Sequence, residues 1–315
     1  MTTAVAASAG GGEEPSSPAA PRLGDAQTQQ YRIGLVVVAD GAPCRGMLAT
    51  MPVPMDWPEQ QVRVLREEKT PHVGRMELRT VGGGARQLVV QIPSLPAGAE
   101  ARAIVTVEVT RHATQGPQQT AGLRIPQRVD SALRPYLAES PMIESNHAKI
   151  RNLARQIVAE REGAWEQAEA IYDWVREHIE YREGDLKGAL QALADGTGDC
   201  EEMTSLFIAL CRASRIPART VWVPGHCYPE FYLEDEHGNG YWYPCQAAGT
   251  RAFGSMPEYR PILQKGDSFR VPETPREIKR YVAEYFMAQS GRPRVAFVRE
   301  AVAPAHSSPQ SSPQP

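Results

Sequence analysis

Between residues 31 and 125 apolar and polar positions alternate in short runs, the period of a strand with one buried face. The clearest run sets Val105, Val107 and Val109 between Thr106, Glu108 and Thr110. Further β-branched or alternating runs lie at 33–38, 61–65, 75–80 and 87–92. Asp40-Gly41, a proline-rich 51–58 and Val81-Gly82-Gly83-Gly84 separate them. With no helical stretch between them, these strands predict a β-sandwich over 31–125. From Ser145 the period lengthens. Ile150, Leu153, Ala154, Ile157 and Val158 form one helical stripe, and Ala168, Ile171, Tyr172 and Val175 mark a second helix over 164–179. A short helix is predicted at 186–193. A fourth follows the Gly196-Thr197-Gly198 turn, with Met203, Leu206, Phe207 and Leu210 on one face. Strands are predicted at 218–223, 226–233 and 241–245, the last two joined by a turn at 236–240. A strand at 268–271, a helix at 274–287 opened by Thr274-Pro275 with Glu277, and a strand at 295–299 complete the pattern. Strands, then helices, then strands again predict an α+β fold.

Residues 1–30 and 301–315 are Ala, Gly, Ser, Pro and Gln with almost nothing large and apolar, and are expected to be disordered. The expected organisation is therefore a disordered segment over 1–30, a β-sandwich domain over 31–125, a second domain over 126–300 and a tail over 301–315. With 42% apolar and 23% charged residues the chain has the composition of a soluble globular protein. A net charge of −3 without a basic run points away from nucleic acid as a partner. No stretch is apolar for long enough to insert into a membrane as a helix. Ala7-Ser8-Ala9 reads like a small-x-small cleavage site, and equally like part of a low-complexity tail, so export and a cytoplasmic location both stay open. Nothing in the sequence sets the oligomeric state.

Chemistry concentrates in 196–246. Asp199 is a good N-cap residue, which places Cys200 in the first turn of a helix. Unpaired N–H groups and the positive end of the helix dipole favour a thiolate there. His226 opens a strand downstream. A helix-start thiol followed by a strand-borne imidazole is the layout of a nucleophile and its general base. Cys211 falls on the apolar face of the same helix and is expected in the core, as are Tyr172 and Trp174. Cys44 and His72 stand alone and are expected to be structural. No cofactor motif is present. His226, Cys227, His237 and Cys245 could be read as metal ligands, but their spacing matches no usual zinc pattern.

Four stretches in order resemble the transglutaminase-like superfamily: G-D-C-E-E at 198–202, R-A-S-R-I-P-A-R at 212–219, H-C-Y-P-E-F-Y at 226–232 and W-Y-P-C-Q at 242–246. The resemblance implies a papain-like catalytic core of helices packed on an antiparallel sheet. It also implies Cys200 as nucleophile, His226 as base and Gln246 in the orienting position where the family usually has an Asp. The activity implied is attack on an amide of a peptide or protein substrate through a thioester acyl-enzyme, released by water or by an amine. If His226 and Gln246 are direct cross-strand neighbours, as the resemblance implies, Cys227 lies opposite Cys245, within reach of a disulfide in an exported protein. Three readings stay open on sequence alone: an active cysteine acyltransferase or hydrolase, a catalytically weak binding module of the same fold, and a metal site.

Overall fold

The computed structural model describes residues 17–302; the Ala7-Ser8-Ala9 motif and the tail from 303 lie outside the described residues. The chain opens with six strands: β1 (Arg22–Val38), β2 (Cys44–Pro52), β3 (Gln60–Lys69), β4 (Arg75–Val81), β5 (Ala85–Leu95) and β6 (Glu100–Gln115). Helices α1 (Ala148–Val158) and α2 (Ala164–His178) follow, then the short strand β7 (Glu180–Tyr181) and α3 (Gly188–Asp195). Strand β8 (Thr197–Gly198) leads into α4 (Cys200–Ala213), which is succeeded by β9 (Ala218–Val223), β10 (His226–Glu234) and β11 (Gly240–Pro244). Three further strands, β12 (Gln264–Lys265), β13 (Tyr285–Met287) and β14 (Arg294–Ala301), close the described fold. With 41% strand and 18% helix, the fold is α+β and dominated by antiparallel sheet.

Alternation along the first strands has a direct structural outcome. A four-stranded sheet in the order β14-β1-β6-β3 faces part of an eight-stranded one, β11-β10-β9-β12-β5-β2-β13, with β4 on β5. Leu35 and Val37 of β1 and Val105 and Val107 of β6 point into the same buried cluster as Met47 and Met51 of β2 and Leu88 and Val90 of β5. Each such side chain contributes roughly 1.5–3 kcal/mol on burial. The second core surrounds α4. Every residue from Glu202 to Arg212 is buried, because α1, α2 and α3 cover one side of this helix and the sheet strand β10 the other. A helix apolar nearly all round belongs at the centre of a layer, not on its surface. The two cores are joined by β12, whose Gln264 pairs with Trp222 of β9 and with Ala85 of β5.

Several expectations are corrected. Order begins well inside the 1–30 segment: β1 starts at Arg22 and pairs with β6 along its length. Ahead of it, Ala19 is buried against the helical core and its carbonyl accepts from the Tyr243 hydroxyl at 2.7 Å. These partners stabilise a segment whose own composition could not. Strand β2 is unexpected, since its second half runs into the proline-rich stretch. The helix expected at 274–287 does not form. Phe269 and Lys279 exchange backbone hydrogen bonds at 2.7 and 2.8 Å instead, and the Val282 N–H donates to the Gln264 side-chain oxygen at 2.8 Å. Tertiary partners outweigh local propensity there. Finally, β13 pairs β2 and β14 pairs β1, so the end of the 126–300 range completes the sheets of the 31–125 range.

Candidate active site

The loop before α4 is built by its glycines. Gly196 closes α3 in the left-handed region (φ 68°), its N–H donating to the Ala192 carbonyl at 2.9 Å. A Cβ on Gly198 would lie 2.5 Å from the Glu202 Cβ, which only glycine avoids. Asp199 caps the helix: its carboxylate accepts from the Glu201 N–H at 2.7 Å, while the Glu202 carboxylate accepts from the Asp199 N–H at 3.1 Å. This capping box fixes Cys200 as the first helical residue, with its half-buried sulfur at the positive end of the dipole.

His226, Cys227 and Cys200 converge. The Cys227 thiol donates to the Cys200 carbonyl oxygen at 3.6 Å, which sets its sulfur beside the start of α4. The Cys227 thiol hydrogen bond is the strongest influence on the Cys200 thiol. Against the opposing effect of burial, and with help from the His226 ring, it pulls Cys200 down to about 4. Burial alone would lower the His226 pKa, but its hydrogen bonds to Cys200 and Gln246 raise it above the usual value. The Nε2–H of His226 donates to Oε1 of Gln246 at 3.0 Å, leaving Nδ1 for the sulfur. Each group thus favours the charged form of the other.

The hairpin register differs from the expected one. Glu230 pairs with Pro244 and Phe231 with Tyr243, so Gln246 falls two residues from the position opposite His226. Because the shift is even, both side chains keep the same face. Cys227 and Cys245 are consequently not opposed. Cys227 packs against Cys200, the Cys245 thiol donates to the Pro229 carbonyl at 3.8 Å, and all five cysteines are free. Cys211 is fully buried in the helical core, as its position on α4 predicts.

Two residues that matter here were read from the sequence as core or not at all. The Tyr172 hydroxyl donates to the Gln246 carbonyl at 2.9 Å. Arg176 donates to the carbonyls of Gln246, Ala247 and Gly249 at 3.0, 3.1 and 2.8 Å. Their i, i+4 spacing on α2 was the available signal. Glu230, the other carboxyl on the His226 face, is engaged elsewhere. It sits directly across from Arg219, 2.9 Å away, and accepts from Lys265 at 2.5 Å. His237 is exposed beside Glu236, and among the described residues no cluster of three metal-ligating side chains occurs.

Cys200 and His226 open onto a cleft of about 1100 Å³. Tyr181 lines one side, on β7, which is tied to the Cys200 loop by the pairing of Tyr181 with Gly198. Trp222 and Arg280 line another, Arg280 meeting Glu201 at 2.5 Å and lying over the Trp222 ring. The far wall comes from Tyr31 of β1 and Arg299 of β14. Among the described residues, no helix is long and apolar enough to cross a membrane.

A capped helix presenting a thiol to a strand-borne imidazole, over an antiparallel sheet, defines a thiol–imidazole site of α+β type. Residues 151–247, from within α1 to just beyond Gln246, match the model of the transglutaminase-like superfamily. The structure is similar to that of a Cytophaga hutchinsonii protein described as "a Putative Cysteine Protease" (TM-score 0.57, 20% identity, covering 90% of this chain and 92% of that one). At that identity the likeness is one of fold. A "putative protease" from Parabacteroides distasonis (TM-score 0.29, 12% identity, 73% of this chain and 48% of that one) is more distant. So is the periplasmic domain of TgpA from Pseudomonas aeruginosa bound to ethylmercury (TM-score 0.34, 13% identity, 71% and 90%). No curated protein matches the chain.

Proposed function

We propose that this protein is a cysteine acyltransferase or hydrolase that attacks amide bonds of peptide or protein substrates. Cys200 is the nucleophile, His226 the base and Gln246 the group that orients the base. The observation that carries this reading is that Cys200, at the start of α4, shares an open cleft with His226, whose ring is hydrogen-bonded to Gln246 Oε1 at 3.0 Å. Two facing sheets act as a β-sandwich over 31–125, completed by β13 and β14, and the helices on β9–β11 act as a papain-like half.

In the resting state the proton sits on His226 and the charge on Cys200. The thiolate attacks the amide carbonyl, and the Cys200 N–H stabilises the oxyanion. The second donor is the Tyr181 hydroxyl, which the β7–β8 pairing holds upstream of the nucleophile. His226 protonates the leaving amine, giving a thioester on Cys200. Water then regenerates the acid, or an amine takes the acyl group. Gln246 accepts the Nε2 proton and fixes the ring without adding charge, as an Asn does in papain-like proteases.

One observation favours a second reading, a catalytically weak binding module: Gln246 is neutral, so no carboxylate stabilises the imidazolium. Exposure to a labelled amine with a glutamine peptide, and separately to fluorogenic peptide amides, followed by mass spectrometry, distinguishes the two. The enzyme reading expects an acyl adduct on Cys200 that Cys200→Ala abolishes. Fast alkylation of Cys200 with no acyl adduct from any probe supports the binding module.

A further inference from the structure

The segment between α2 and α3 brings two exposed apolar side chains and an unpaired acid to the cleft of the nucleophile. Strand β7 pairs Tyr181 with Gly198, and the Arg182 N–H extends the ladder by donating to the Gly198 carbonyl at 2.9 Å. Side chains alternate along such an extended stretch. Glu180 and Arg182 meet each other at 3.3 Å outside the cleft lining. Tyr181, Glu183 and, further on, Leu186 line it together with Cys200. Tyr181 is 53% and Leu186 45% exposed. Single exposed apolar groups are ordinary, but these two bracket an exposed carboxylate within one cleft.

Charge divides the lining into a satisfied and an unsatisfied part. Arg280 is met by Glu201 at 2.5 Å and Arg299 by Glu284 at 2.6 Å, so both arginines of the lining are already neutralised. Glu300 has Arg32 at 3.4 Å. Glu183 and Asp199 remain. Among the described residues neither meets a cation, and the Asp199 carboxylate serves as the cap of α4. The Tyr181 hydroxyl is pushed up first by its partial desolvation and then by the negative charges of Cys200, Glu183 and Asp199, so all three lie near one ring. An aromatic face and carboxylates attract a cation, and an aliphatic neighbour covers the methylene stem of a long one. An anionic side chain is disfavoured, because it must displace Glu201 or Glu284 to reach an arginine.

We propose that the corner formed by Tyr181, Glu183 and Leu186 is a specificity subsite for a lysine or arginine side chain of the peptide whose amide Cys200 attacks, with Glu183 as the discriminating charge. This inference rests on Cys200 being the acylated nucleophile and names the class of peptide that it acylates from. Glu183 is exposed and caps no helix, so its charge can be changed without disturbing the start of α4. Asp199 offers no such freedom.

The test uses the purified full chain and peptide amides in which arginine, or its uncharged analogue citrulline, occupies each position on either side of the amide in turn. Acylation of Cys200 is followed by mass spectrometry. At one position the parent is expected to react about tenfold faster with arginine, an advantage that shrinks as salt rises. Glu183→Gln is expected to lose most of that advantage while the citrulline peptide and iodoacetamide react as in the parent. Glu183→Lys is expected to reverse it. Equal rates for arginine and citrulline at every position in the parent overturn the proposal, as does an arginine preference that survives in Glu183→Lys. An effect of Glu183→Lys seen only with a free amine as acyl acceptor also overturns it and assigns the corner to the acceptor. If no peptide leaves an acyl adduct while iodoacetamide still alkylates Cys200, the acyl-enzyme reading itself fails, and this inference with it.

Discussion

Tyr172 holds Gln246 by its backbone and leaves the amide side chain free for His226. The hydroxyl donates to the Gln246 carbonyl at 2.9 Å and accepts from the Ala252 N–H at 3.0 Å, so it pins both ends of the turn after β11. Tyr172→Phe removes two hydrogen bonds: the Ala252 N–H loses its acceptor, and the Gln246 carbonyl loses one donor while keeping Arg176. The expected loss is about 1–3 kcal/mol of unfolding free energy. Acylation of Cys200 is expected to slow as well, because the Gln246 position loosens. Urea unfolding and adduct formation measure the two effects. Unchanged acylation in a destabilised variant would limit Tyr172 to a structural role.

Gln246 is expected to act on His226 through geometry. Gln246→Asp places a charge within the 3.0 Å contact to Nε2. It should raise the His226 pKa further and lower the pH at which Cys200 becomes reactive. Gln246→Ala should slow acylation while leaving the fold intact. Alkylation rate against pH for the parent and both variants tests this. Three superimposed curves would show that Gln246 does not influence the base.

Thiolate reactivity is expected to persist into mild acid. With Cys200 lowered to about 4, alkylation should hold from neutrality down to that region and fall only as the thiolate is protonated below it. The hydrogen bond from Cys227 is its strongest support, so Cys227→Ala should move the acidic limb upward, towards the ordinary thiol range near about 8.5. On the alkaline side the ion pair is lost as pH passes the raised His226 pKa, since the imidazolium then gives up its proton. Iodoacetamide rates over this range are the measurement. An acidic limb that does not move in Cys227→Ala excludes the thiol as its cause.

Lys265 is expected to matter for stability without touching the reaction. It is 2% exposed and reaches Glu59 at 2.6 Å and Glu230 at 2.5 Å. Lys265→Met leaves two buried carboxylates facing one another. A loss of about 3–5 kcal/mol is expected, as for other broken buried pairs. Part of it should return on acidification, when Glu59 accepts a proton. In the parent, Lys265 and Arg111 hold Glu59 low against the upward push of burial; without Lys265 that hold weakens and Glu59 takes up its proton more readily. Denaturant unfolding at two pH values checks it, and a loss under about 1 kcal/mol would place the pair among weak surface contacts.

The sequence was most informative where local signals and tertiary partners agree. The Asp199 cap, the α4 face and the His226 strand could be read directly, because capping and periodicity are short-range properties. Gln246 could be placed on the His226 face since strand parity survives an even shift in register. The register itself could not, and with it went the Cys227–Cys245 pairing. Helix 274–287 failed for the opposite reason. Its composition suits a helix, but Tyr281 packs on Trp222 and Val282 is held by Gln264, neither of which is local. Residues 17–30 have little intrinsic tendency to order, and the β6 edge supplies what they lack.

Strand β14 pairs with β1 and contributes Arg299, Glu300 and Ala301 to the cleft, so that part of its wall is translated after Cys200, His226 and Gln246. On the ribosome the thiol, the imidazole and the amide all emerge while that wall is still unmade. The lining of the cleft is therefore complete only once β14 has paired with β1.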